Sequence, residues 1–129
     1  MNPKGPKSFG GWIALYEERV HGTFEISPME ELIFDRQHGF FTWTYNPETG
    51  HLLIPKMVGD GRYWRRIISD WAKRLQEKYT DFNGILFCTT RKAEVYIRAA
   101  GGVLYKQKTN KKGVTYSWIL ITPQTYNGR

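Results

Sequence analysis

The sequence predicts a mixed α/β domain, and three observations carry that expectation. Apolar residues recur at helical spacing over four turns between residues 62 and 79. Short aromatic and β-branched runs bounded by turn signals stand on both sides of that helix. The chain has 129 residues, 40% of them hydrophobic and 16% aromatic, which is enough for one core and too apolar for a disordered chain. Residues 1–10 read as a flexible tail without the apolar stretch of a signal peptide, and 11–129 as a single domain.

The elements follow in order. Trp12, Leu15, Tyr16 and Val20 share one helical face, so a first helix is expected over 11–21. Ser27-Pro28-Met29-Glu30 carries the signature of a helix start, namely an N-cap, a Pro at the first position and an acid in the first turn. It predicts a short second helix reaching about Gln37. A strand at Glu31–Asp35 is the competing reading.

Phe40–Tyr45 alternates aromatics with threonines and predicts a strand. Asn46–Gly50 is a turn, and His51–Val58 a second strand completing a hairpin. Pro55 cannot donate to a ladder, so a bulge or irregular edge is expected beside it. Gly59-Asp60-Gly61 interrupts the strand. Trp64, Ile67, Ile68, Trp71, Ala72, Leu75 and Tyr79 then form the apolar stripe of a long helix over Arg62–Tyr79.

Ile85–Thr89 has no charge and reads as a central strand buried on both faces. A short helix over Arg91–Ala100 is stopped by Gly101-Gly102. Val103–Lys108 and Val114–Thr122 form a last hairpin around Asn110–Gly113. Alternating elements with hairpins at both ends give a mixed sheet.

Composition narrows the function classes. The formal charge of +7 favours an anionic partner: nucleic acid, a nucleotide-like cofactor or an acidic protein surface. The single cysteine, Cys88, excludes an intrachain disulfide or a cysteine-based zinc site and fits a reducing cytoplasm. No apolar run is long enough to cross a bilayer, so no membrane partner is expected.

Residues 39–122 resemble the GNAT family of N-acetyltransferases. A strand runs into Lys56-Met-Val-Gly59-Asp-Gly61, similar to that family's Gln/Arg-x-x-Gly-x-Gly/Ala loop, which opens a long helix. Glycines let a backbone approach a diphosphate, and amides at a helix N-terminus bind it. The likeness continues through the strand Ile85–Thr89, through Thr90 where the family has Asn, and through Ala93 and the Gly101-Gly102 corner to the closing hairpin. Glu77-Lys78-Tyr79 and the strand start Gly102-Val-Leu-Tyr105 are similar to the short acetyltransferase-like proteins of tailed phages.

The resemblance implies a mostly antiparallel mixed sheet with a long central helix and flanking helices. It implies acetyl-CoA as cofactor, held by Leu53, Ile54, Lys56, Val58, Gly59, Asp60, Gly61, Arg62 and Thr90, and an unknown amine as acceptor. By family spacing the acid that protonates the leaving thiolate falls at Ile97; Tyr96, one position away, is the candidate for it. Glu25, Asp35, Glu48 and His51 are candidate bases. Asp60 departs from the family, because a carboxylate in the loop repels a phosphate. Cys88 reads as a buried inert thiol.

Three functions are therefore expected. The first is an acetyl-CoA-dependent N-acyltransferase. The second is an inactive phage or prophage protein of that fold, partnered by a phage or host protein and located in the host cytoplasm or the virion. The third is nucleic-acid binding through the basic helix 62–78 and the loop 106–113.

Overall fold

The structure, a computed structural model, describes residues 5–123. Among the described residues, three helices and six strands follow the order α1 (Phe9–Val20), β1 (Glu31–Asp35), β2 (Gly39–Asn46), β3 (His51–Gly59), α2 (Gly61–Lys78), β4 (Gly84–Thr89), α3 (Ala93–Ala100), β5 (Val103–Thr109), β6 (Thr115–Ile121). The strands form one sheet in the order β1-β2-β3-β4-β6-β5, in which only β3 and β4 run parallel. A mixed, mostly antiparallel α/β architecture is thus what the chain adopts. Because β3 and β4 are parallel, a hairpin cannot join them, and the 18-residue α2 makes the crossover.

Side chains alternate across a strand, and the core divides accordingly. On one face Phe41, Leu52, Ile54, Ile85, Ile119 and Ile121 pack with Trp64, Ile68 and Ala72 of α2 and Ala93 of α3. The opposite face carries Phe40 and Val58 beneath Trp12 and Tyr16 of α1. The helical stripe read from the sequence of α2 is the buried one.

Two expectations need correcting. The helix foreseen after Ser27 is absent, and Glu31–Asp35 is the edge strand β1, paired antiparallel with β2. Half of a capping box does form, since the Ser27 amide donates to Glu30 Oε1 at 3.2 Å. It closes only a turn, in which Glu30 N donates to Ser27 O. Beyond it Leu32 packs toward α1 and Ile33 toward α2, a period of two that a helix cannot satisfy. The second correction concerns the first helix. It begins at Phe9, where Ser8 accepts a hydrogen bond from Gly11 N, so residues 9 and 10 belong to α1 and not to a tail. Residues 1–4 of that expected tail lie outside the described residues.

The turn between β1 and β2 joins both layers. Trp12 Nε1 donates to Arg36 O at 3.0 Å from α1, and Trp64 Nε1 donates to His38 O at 2.9 Å from α2. Next to it Gly39 and Gly59 meet at the ends of their strands, with φ of 105° and 114°. A Cβ on Gly59 would collide with the His38 carbonyl oxygen, so only glycine fits.

Candidate functional site: a gap between two parallel strands

β3 and β4 are hydrogen-bonded over four rungs, from His51↔Gly84 to Ile54↔Phe87. There the ladder stops. Lys56 to Gly59 continue pairing with β2 alone, and Cys88 and Thr89 with β6 alone. The cause lies in β3, where Ile54 and Pro55 together face the single residue Trp43, a bulge at the proline that lacks a ladder donor. The sheet therefore opens between the far ends of its two parallel strands.

Different groups flank the opening on each face. On the α2–α3 face, Tyr96 packs its ring edge-on against Phe87, with centroids 5.0 Å apart, and its hydroxyl stands 3.5 Å from Thr89 Oγ1. Ile97, the position indicated by family spacing, is exposed at 40%. Tyr96 is thus the member of the pair turned to the strand end. Thr90, half-buried, follows directly after β4.

On the α1 face, Lys56 Nζ is held by both oxygens of Glu30 at 2.7 and 2.8 Å. The pair is largely buried, with side-chain exposures of 18% and 7%. Burial works to raise the Glu30 carboxyl, but hydrogen bonds led by that from Lys56 hold it below the ordinary glutamate value. Burial pushes the neighbouring Cys88 thiol up to about 11 despite the pull of Lys106 and Lys56, so it stays protonated at neutral pH. Tyr16 is raised too, first by burial and then by the proximity of Cys88, Tyr116 and Glu30. A pocket of about 360 Å³ borders the pair, lined by Thr23, Glu25, Ser27, Glu30 and Lys56 among others.

The sequence did not single out Glu30 as a partner, because it lies 26 residues from Lys56. One signal was present: Lys56 is the only formal charge in the apolar run of β3, and a half-buried ammonium calls for a carboxylate.

The loop proposed to hold a diphosphate has a different arrangement. Asp60 is the N-cap of α2, and its Oδ1 accepts from the amides of both Arg62 and Tyr63 at 3.2 Å. The Asp60 amide itself donates to His38 O at 2.9 Å. The amides of Asp60, Arg62 and Tyr63 are thus occupied by the protein's own oxygens, one of them a carboxylate oxygen. A diphosphate therefore does not fit the Arg62 and Tyr63 amides of this loop as they stand. A cleft of about 860 Å³ lies beside the loop, but it is bounded by Trp12, Leu15, Arg19, His38 and Asp60 and not by the strand gap.

The remaining sequence candidates are scattered. Leu53 and Ile54 stand on the last two rungs before the gap. Val58 is buried beneath α1, and Gly61 and Arg62 are exposed. Glu25 is exposed on the pocket rim, and Glu48 is exposed in the β2–β3 turn. Asp35 Oδ1 lies 3.0 Å from His38 Nδ1 at the sheet edge. His51 is buried at the start of β3, its Nε2 has no hydrogen-bond partner, and desolvation lowers its pKa. No described group of three or more His, Cys, Asp or Glu side chains is arranged to hold a metal. No helix among the described residues is long and apolar enough to cross a membrane.

No protein-family model matches the chain, and no curated protein matches it either.

Proposed function

We propose that the chain is a non-catalytic interaction protein of the phage or prophage type, with an acetyltransferase-like order of elements but no grip on the cofactor. The support is one observation: the Asp60 carboxylate sits on the Arg62 and Tyr63 amides, where an acyl-CoA diphosphate would have to sit. Displacing it would bring a multiply charged anion against a carboxylate at close range, which is strongly unfavourable.

Thermal unfolding in millimolar coenzyme A and acetyl-CoA tests this reading, because a ligand that binds the native state raises its stability by mass action. No shift is expected for the natural chain, and a weak one for Asp60→Gly, which frees the two amides. A saturable shift for the natural chain overturns the proposal.

A second reading, acetyl-CoA-dependent transfer to an amine, is favoured by the strand gap beyond Ile54 and Phe87 and by Tyr96 turned toward Thr89. In that case the residues of this chain supply a backbone N–H from Leu53 or Ile54 and a phenol from Tyr96. Acetyl-CoA-dependent release of free thiol, lost in Tyr96→Phe, would establish it over the first.

A further inference from the structure

We propose that the solvent face of α2, extended by the start of α3, is a nucleic-acid-binding surface. The charge of the chain is segregated. Among the described residues, 5–59 carry seven acidic and four basic side chains, whereas 60–123 carry five acidic and thirteen basic ones. The excess is concentrated on one layer. Arg62, Arg65, Arg66, Lys73, Arg74 and Lys78 are all exposed on α2, and Arg91 and Lys92 are exposed just before α3, which packs on the same face of the sheet.

These arginines do not serve the fold. Among the described residues the Glu30–Lys56 ion pair and the contact of Asp35 Oδ1 with His38 Nδ1 both leave the arginines out. Asp70 lies four residues from both Arg66 and Arg74, yet no ion pair forms. Arg62, Arg65 and Arg66 also occupy the first turns of α2, which hold no acid, so the helix dipole opposes them. Arginines that form no ion pair among the described residues, three of them at the positive end of the helix, fit an external polyanion.

Nucleic acid fits better than a lipid surface. Four of the six α2 cations are arginines, whose planar donors match phosphate oxygens two at a time. Every exposed position of α2 other than Gly61 is polar, with no apolar side chain to insert among lipids as an interfacial helix requires. At about 1.5 Å per residue the 18-residue helix offers a cationic stripe on the order of 25 Å long, comparable with several phosphates of one strand. The basic loop at 110–113 belongs elsewhere, since Lys112 Nζ donates to His21 O at the end of α1, on the other side of the sheet.

The test is fluorescence anisotropy with a labelled random-sequence duplex and its single strand, from 50 to 200 mM salt. If four or more phosphates are neutralised, affinity falls roughly 100-fold or more over that range. The triple variant Arg65→Ala, Arg66→Ala, Arg74→Ala should bind at least about tenfold more weakly, with a salt slope shallower by about three. The single reversals Arg65→Glu, Arg66→Glu and Arg74→Glu are measured alongside, so that the outcome does not rest on the folding of the triple variant. Lys111→Ala/Lys112→Ala should leave binding unchanged. Absence of binding at 50 mM salt, undiminished binding by all the arginine variants, or binding to phosphatidylserine vesicles but to neither nucleic acid would overturn the proposal. Because coenzyme A takes no part in the assay, this outcome is independent of the cofactor test above.

Discussion

Glu30 grips the Lys56 ammonium with both carboxylate oxygens, tying the segment before β1 to the bulged half of β3. Removing one partner leaves the other charged, desolvated and alone. Lys56→Ala should therefore cost about 3 kcal/mol by urea unfolding. The double variant Glu30→Gln/Lys56→Met should cost clearly less than the sum of the singles, as a double-mutant cycle will show.

The same pair sets an acid dependence. The Glu30 carboxyl titrates lower in the folded chain than in the unfolded one, so the unfolded state takes up the proton first as pH falls. Its contribution is complete above the ordinary value of 4.5 and is lost as pH drops through the lower folded value. Unfolding free energies between pH 6 and pH 3 should fall less steeply for Glu30→Gln than for the natural chain.

His51 acts in the same direction at higher pH. Its folded pKa lies below 6.5 because burial disfavours the charged ring, so acidification protonates the unfolded chain first. Stability should decline as pH falls below about 6.5. His51→Leu should remove that decline, measured by urea midpoints at pH 7.5 and 5.5; an unchanged slope would show that the ring is solvated.

Gly59→Ala meets two obstacles at once, a φ of 114° and the His38 carbonyl oxygen in the path of the new methyl. A loss of at least about 3 kcal/mol is expected in equilibrium unfolding. Asp60→Ala, which removes only the cap, should cost about 1 kcal/mol.

Legibility from sequence followed the range of the interactions. The stripe from Trp64 to Leu75, both hairpins and the irregularity at Pro55 are local patterns, and they appear where the residues indicated. Residues 22–38 were ambiguous because Ser27 and Glu30 write a helix start while Leu32 and Ile33 write a strand. Tertiary pairing with β2 decided between them. The opening beyond Ile54 follows from a proline at a position where β3 already pairs on both edges, which a single strand cannot reveal. Asp60 departs from the phosphate-loop pattern in the sequence itself. That it would cap the helix with the very amides in question depended on its rotamer.

The short turn from Asp35 to His38 receives an indole from above the sheet and another from below it. Trp12 belongs to one core cluster and Trp64 to the other, yet both are anchored to carbonyls two residues apart. Fraying of one layer thus loosens the anchor of the other, and the two helices should lose amide protection in hydrogen exchange as one cooperative unit. The edge strand β5, exposed at every residue and paired with β6 alone, should instead lose protection independently of that unit.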